Sequence, residues 1–146
     1  MKLLLINGPN MNMLGIRQRE IYGTDTLETI EKLTVDKAHE LGCEMDTFQS
    51  NHEGAIIDKI HEAYQKYDGI VINPAAYTHY SYAIADALGA VAIPAIEIHM
   101  SDIHSRESFR ANSVTLPYCI GQVAGYGKES YPIGVEKLVE HIKNNR

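Results

Sequence analysis

Glu97 and His99 lie two residues apart in an apolar stretch that we expect to be a β-strand, IPAIEIHM. In a strand, residues two apart point to the same face, so the carboxylate and the imidazole should be neighbours. A carboxylate beside an imidazole raises the pKa of the ring and orients it, which makes a proton donor near neutral pH. A purely structural hydrogen bond at a strand end would explain the pair equally well.

Tyr22 is a candidate base because two guanidinium groups, Arg17 and Arg19, lie close to it in the sequence. An unperturbed tyrosine has a pKa of about 10, and a nearby positive charge lowers a pKa by about 1–3 units. The three residues lie in segment 7–23, NGPNMNMLGIRQREIYG, which has no sustained helical or strand period. Long irregular segments in compact domains are usually functional loops. We therefore expect this segment to be a loop that binds or generates an anion.

Amide, imidazole and hydroxyl side chains follow four of the predicted strands. Each amide alone has a plain explanation, since Asn and Ser cap helices and favour turns. In a parallel sheet, however, the carboxyl ends of the strands form the usual ligand site. The clustering predicts such a site from these residues: Asn7, Asn10, Gln49, Ser50, Asn51, His52, Asn73, Glu97, His99, Met100 and Ser101.

Two further pairs are ambiguous. Four of the five arginines fall in two short segments, and one of these contains Arg106 and Arg110. Arg suits bidentate contacts with anions, although ion pairing along a helix face explains this pair as well. His79 and Asp86 are seven residues apart and are predicted to share one face of a short helix.

Strand-like and helix-like segments alternate along the chain. Apolar runs predict strands at 2–7, 43–49, 69–72, 93–99 and about 118–124. Helical periodicity predicts helices over 27–41, 56–67, 79–88 and 135–142. The alternation predicts an α/β fold, specifically a flavodoxin-like three-layer sandwich with a five-stranded parallel sheet. We expect residues 1–146 to form one catalytic domain.

The composition excludes several classes of protein. A net charge of −6 argues against a nucleic-acid partner, and no apolar run approaches a membrane span. Since Met1 and Lys2 lead directly into the first strand, we expect no signal peptide and a cytoplasmic protein. Cys43 and Cys119 show no metal-ligand spacing and are expected to be reduced and buried. No phosphate-binding glycine motif or metal-binding histidine motif occurs, so we expect no cofactor.

Four blocks of the sequence resemble type II 3-dehydroquinate dehydratase. They are the segment 7–23 given above, QSNHEG at 49–54, NPAAYTHYS at 73–81 and EIHMSDIHSRESFR at 97–110. The blocks occur in the family's order, and the resemblance covers nearly the whole chain. It implies the reversible loss of water from 3-dehydroquinate to give 3-dehydroshikimate in the shikimate pathway. It also implies an enolate intermediate, with no metal and no imine.

The resemblance assigns roles to individual residues. Tyr22 matches the base, His99 the proton donor, and Glu97 the carboxylate that supports this histidine. Arg17 matches the arginine of the lid, and Asn10 matches the residue that holds a water against the enolate oxygen. Other matched positions are those that bind substrate: Asn73, His79, Met100, Ser101, Arg110 and Asp86.

The resemblance also implies assembly. Asp86 matches a residue that reaches into the site of a neighbouring subunit, and the family typically forms a dodecamer made of trimers. One departure is that Gln18-Arg19 replaces the Glu-Pro that often follows the lid arginine, so Arg19 could share the role of Arg17. Two other functions remain open: a non-catalytic flavodoxin-like protein that binds small anions, and a flavin electron carrier.

Overall fold

The computed structural model describes residues 1–16, residue 20 and residues 24–146. Its centre is a sheet of five parallel strands in the order β2-β1-β3-β4-β5. The strands are β1 (Lys2–Asn7), β2 (Glu44–Gln49), β3 (Gly69–Asn73), β4 (Ala95–His99) and β5 (Gly121–Ala124). This order is the flavodoxin-like one, as the sequence predicts.

Helices cover both faces of the sheet. They are α1 (Leu27–Glu40), α2 (Glu53–Ala63), α3 (Tyr82–Val91) and α4 (Ser130–Asn144). Helices α1 and α4 pack on one face over a core that includes Leu3, Leu5 and Tyr131. Helices α2 and α3 pack on the other face, over a core that includes Leu4 and Ile70. Strand β3 is buried throughout because it contacts both layers, which explains the apolar run that precedes Asn73.

The strand register aligns the polar strand ends. Asn7 of β1 pairs with Gln49 of β2 on one side and with Asn73 of β3 on the other. On β4, Glu97 pairs with Gln122, and His99 pairs with Ala124. The residues that follow these strands therefore meet at one edge of the sheet, where parallel sheets bind ligands.

The third helix differs from the sequence prediction. Helix α3 begins at Tyr82, where the Ser81 side chain accepts a hydrogen bond from the Ile84 amide. His79 lies before it, in a 3-10 turn over Ala75–His79 that starts with a left-handed residue, Ala75 at φ 54°. The prediction that His79 and Asp86 share a helix face is therefore wrong.

Other boundaries also differ from the sequence prediction. Helix α1 begins at Leu27 as predicted, where Thr26 and Thr29 form a capping box. Helix α2 ends at Ala63, so Tyr64 and Tyr67 lie beyond it. Strand β5 is shorter than predicted because a 3-10 turn occupies Leu116–Tyr118. Within the described part of the chain, no helix is both long enough and apolar enough to cross a membrane.

Candidate active site

A cleft of about 610 Å³, including the solvent at its mouth, lies at the carboxyl edge of the sheet. The turn after β1, the turn after β3 and the segment after β4 form its walls. The described residues that line it include most of the predicted site: Asn10, Asn73, His79, His99, Met100, Ser101, Arg106 and Arg110.

The predicted pairing of His99 with Glu97 is present in the structure. Nε2 of His99 lies 2.9 Å from Oε2 of Glu97, and both side chains are buried at the end of β4. Because the carboxylate oxygen can only accept, Nε2 of His99 is the protonated nitrogen of this contact. The contact leaves Nδ1 of His99 for a ligand in the cleft.

Glu97 is fully buried, yet it is held in its charged form. Burial alone would raise the pKa of this carboxyl group. Hydrogen bonds from His99, Thr115 and Gln122 outweigh the burial and keep the pKa of Glu97 below its ordinary value. The ionised carboxylate is therefore a fixed acceptor for the N–H of the imidazole beside it.

His79, by contrast, is placed as a neutral imidazole. Its Nδ1 lies 2.7 Å from the carbonyl oxygen of Asn112, so Nδ1 is the donor. Burial is the main cause that lowers the pKa of His79, and the charges of His99 and Arg110 lower it further. The hydrogen bond to Asn112 opposes this shift without reversing it. In the neutral ring, Nε2 of His79 is an acceptor, suited to a ligand hydroxyl.

Asn10 lies in the turn after β1. It adopts a left-handed conformation with φ 70°, and its backbone N–H donates a hydrogen bond to Oδ1 of Asn51 at 2.9 Å. Just before it, the Gly8 amide donates to the Asn73 carbonyl at 2.8 Å. A Cβ atom on Gly8 would lie 2.5 Å from the carbonyl oxygen of Pro74, so only glycine permits this approach.

Asn73 is oriented by a buried polar network. Its Nδ2 donates to the Tyr131 hydroxyl at 2.9 Å, and its Oδ1 accepts from the Ala75 amide at 3.0 Å. Tyr131 in turn donates to Oδ1 of Asn7. The second N–H of Asn73 faces only the Met11 sulfur at 3.8 Å, a weak acceptor that a ligand oxygen would replace.

The segment after β4 supplies the positive charge of the cleft. Arg110 forms an ion pair with Glu107, 2.9 Å between Nε and Oε2, which leaves its terminal nitrogens for a ligand. Arg106 donates to the Ser101 hydroxyl at 3.4 Å. Ion pairing is thus confirmed for Arg110, and both side chains line the cleft, while anion binding by the pair stays a prediction.

One described residue of the predicted site lies away from the cleft. Asp86 is exposed on α3 and does not line the cleft of its own chain. Arg17 and Tyr22 lie outside the described residues.

Sequence reasoning missed the residues that surround Glu97. Ser113, Thr115 and Gln122 all donate to its carboxylate. Gln122 gave one usable signal, because a polar residue in a predicted strand that is at least partly buried needs a polar partner. Ser113 and Thr115 gave none, since they lie in an irregular segment whose path is not set by periodicity.

Comparison with known proteins gives a consistent result. Residues 1–139 match the sequence model of the family described as dehydroquinase class II. A "3-dehydroquinate dehydratase" of Caldicellulosiruptor bescii is 59% identical over 140 residues, covering 95% of this chain and 97% of the relative. One of Bacillus mycoides with the same name is 52% identical over 142 residues, covering 97% of each chain.

Solved structures agree. The crystal structure of the type II dehydroquinase from Butyrivibrio crossotus has a TM-score of 0.93 and 52% identity, covering 95% of this chain and 97% of that one. The crystal structure of the type II dehydroquinase from Propionibacterium acnes has a TM-score of 0.91 and 38% identity, covering 95% of this chain and 96% of that one. The chain therefore belongs to the class II dehydroquinase family.

Proposed function

We propose that the chain removes water reversibly from 3-dehydroquinate, giving 3-dehydroshikimate through an enolate. The observation that carries the proposal is the buried Glu97–His99 pair, which opens onto a polar cleft in a chain of this family. The cleft is lined by arginine, amide and imidazole groups, which suit a substrate with a carboxylate, a ketone and several hydroxyls.

His99 is the proposed general acid. With Nε2 bound to Glu97, the proton on Nδ1 is the one given to the departing hydroxyl. Glu97 stays ionised and fixes the tautomer throughout, since its pKa lies below the ordinary value. A positioned general acid of this kind contributes about 10²–10⁴-fold to the rate.

Tyr22 is the proposed base, with Arg17 as the group that lowers its pKa and stabilises the transition state. Tyr22 takes the proton from the carbon next to the ketone, and the electron pair moves to the ketone oxygen. Asn10 holds a water against that enolate oxygen. The enolate then expels the hydroxyl as His99 protonates it, so one C–H and one C–O bond break and one C=C bond forms.

The remaining lining residues bind the substrate. Neutral His79 accepts a hydrogen bond from a substrate hydroxyl, and Asn73 donates its second N–H. Met100, Ser101 and Arg110 bind the polar groups at the other side of the cleft, and Arg110 contributes the charge. No step needs a cofactor.

Asp86 is proposed to act in the site of a neighbouring subunit, within a dodecamer that is made of trimers. Its exposed position on α3, outside its own cleft, supports this role. Mixing His99→Ala and Asp86→Ala subunits tests it, because mixed trimers would contain some intact sites. Recovered turnover is the expected result, and failure of an assembled mixture to recover any would argue against the role.

The function itself is tested by adding purified protein to 3-dehydroquinate and following the ultraviolet absorbance of the conjugated enone. A rise that is insensitive to chelator and to borohydride is expected. No rise from folded protein would favour the alternative, a flavodoxin-like protein that binds a small anion without turnover.

Single-atom variants then test the roles. Tyr22→Phe removes only the phenol oxygen, and we expect a loss of kcat of about 10²–10⁴-fold. Tyr64→Phe is the matched control, because Tyr64 is exposed beyond the end of α2 and away from the cleft. We further propose that the chain acts in the cytoplasm, where its turnover would supply the shikimate pathway of aromatic amino acid biosynthesis.

A further inference from the structure

The carboxylate of Glu97 receives hydrogen bonds from four side chains at once. Oε1 accepts one hydrogen bond from the Thr115 hydroxyl and another, at 2.9 Å, from the Ser113 hydroxyl. Oε2 accepts from Gln122 at 2.6 Å and from His99 at 2.9 Å, and it shares the Ser113 proton at 3.0 Å. Both oxygens are therefore fixed, and the plane of the carboxylate cannot rotate without breaking several of these bonds.

Three donors besides His99 supply protons to this carboxylate. The Ser113 hydroxyl accepts from the Leu116 amide at 3.0 Å, and it lies within hydrogen-bond distance of both Glu97 oxygens and, at 3.2 Å, of the Thr115 hydroxyl. Thr115 is fully buried, and its hydroxyl proton goes to Oε1. Gln122 donates from the neighbouring strand, where it pairs in register with Glu97. Each of the three donors is thus directed at an acceptor that has no proton of its own.

Residues 112–115, the segment that contains Ser113 and Thr115, also orient His79, the second histidine of the cleft. The Asn112 carbonyl accepts from His79, and the Val114 amide donates to the Thr78 carbonyl at 2.8 Å. Residues 112–115 therefore run between the two imidazoles of the cleft. One end fixes His79 directly, and the other end fixes His99 through Glu97.

We propose that Ser113, Thr115 and Gln122 are positioning residues for the proton donor: they hold Glu97 in the one orientation that directs Nδ1 of His99 into the cleft. The inference rests on the proposed function, in which His99 is the acid. None of the three lines the cleft, so they act through Glu97 and not on the substrate.

Thr115 offers a sharp test because valine has the same shape without the hydroxyl. Thr115→Val should lower kcat about tenfold, as loss of an outer-shell partner typically does, with KM nearly unchanged. Thr115→Ser keeps the hydroxyl and should restore most of kcat. Thr78→Val is the matched control, since Thr78 is equally buried and its hydroxyl has no hydrogen-bond partner in the part of the chain that the structure describes.

Gln122→Met provides a second variant if Thr115→Val fails to fold. It removes the 2.6 Å donor to Oε2 while keeping the length of the side chain, and we expect the same fall in kcat without a change in KM. A merely structural role would lower the melting temperature but leave kcat of the folded protein as in the wild type.

The outcomes are distinguishable. Wild-type turnover with unchanged kcat in both Thr115→Val and Gln122→Met would overturn this inference and leave the proposed function intact. Equal losses in Thr115→Val and Thr115→Ser would also overturn it, because the hydroxyl would then not matter. Absence of turnover in the wild type would overturn the proposed function, and this inference with it.

Discussion

The hydroxyl of Tyr131 on α4 donates a 2.5 Å hydrogen bond to Oδ1 of Asn7 at the end of β1, across 124 residues of sequence. The hydroxyl oxygen of Tyr131 also accepts a hydrogen bond from Nδ2 of Asn73 at the end of β3. A side chain buried in the helix layer thus connects the ends of β1 and β3, and Asn73 at the second of these ends lines the cleft. The position of Asn73 depends on this helix as well as on its own strand.

Tyr131→Phe should therefore destabilise the fold and weaken substrate binding. The variant leaves buried polar groups of Asn7 and Asn73 without their shared partner, which costs about 1–3 kcal/mol in the free energy of unfolding. Urea unfolding measures this cost, and KM for 3-dehydroquinate should rise. Tyr126→Phe is the control because Tyr126 is 63% exposed. Unfolding curves of Tyr131→Phe that coincide with the wild type would contradict the prediction.

Much of the fold follows from the sequence because its strands are local patterns. The apolar run at 69–72 predicted a buried strand, and the carboxyl ends of parallel strands share one edge of the sheet, so Asn7, Asn73 and His99 were expected to lie close together. The contact between Glu97 and His99 could be predicted from the two-residue period of a strand alone. These inferences depend on neighbours in sequence and on general rules of topology.

What the sequence could not provide depends on contacts over long separations. The turn that places His79 starts at Ala75 in a left-handed conformation, which alanine rarely adopts. The periodicity therefore placed the start of the third helix at residue 79, whereas the helix begins at Tyr82. The other three donors to Glu97, besides His99, come from 16 to 25 residues away, and only the strand register and the path of segment 112–115 bring them there. The roles of Arg17 and Tyr22 remain predictions.

Arg17 and Arg19 should differ in their effect on catalysis. We expect Arg17→Ala to lower kcat by about 10²–10³-fold, as loss of one group that stabilises transition-state charge does. Arg19→Ala should have a smaller effect, because only Arg17 matches the lid arginine of the family. Steady-state kinetics on both variants decides the order, and equal losses of kcat would refute it.

Gly8→Ala should damage the turn that supports Asn10. The added methyl group would lie 2.5 Å from the Pro74 oxygen and 2.7 Å from the Pro74 carbon, both backbone atoms that cannot move aside alone. We expect a loss of about 1–3 kcal/mol in the free energy of unfolding, as for other overpacked sites, with a fall in kcat/KM.

Gly54→Ala is the matched control for this change. Gly54 lies in α2, and a Cβ atom there would meet nothing within 4 Å. The free energy of unfolding should rise by about 0.5–1 kcal/mol, because alanine favours a helix more than glycine does. If the two variants changed stability in the same direction, the steric explanation for Gly8 would be wrong.

The Cys119 thiol should be inert in the folded protein. Burial, aided by the negative charge of Glu97, raises its pKa to about 12, so almost no thiolate forms at pH 8. We expect iodoacetamide at pH 8 to alkylate Cys119 far more slowly in native protein than in urea, as measured by mass spectrometry of its peptide. Equally fast labelling in both conditions would show that the thiol is exposed.

Glu97 should make the stability of the protein depend on pH in the acid range. Its pKa is below the ordinary 4.5 in the folded state, so the folded protein favours the ionised form. The resulting stabilisation is fully present above about pH 4.5 and is lost as the pH falls through the lowered pKa.

Glu97→Gln removes this contribution, so the stability difference between wild type and variant should be large at pH 7 and should shrink below pH 4.5. Urea unfolding at both pH values measures it, with Glu44→Gln on the exposed start of β2 as the control. A difference that stayed constant across this range would mean that the hydrogen bonds to Glu97 do not favour its charged form.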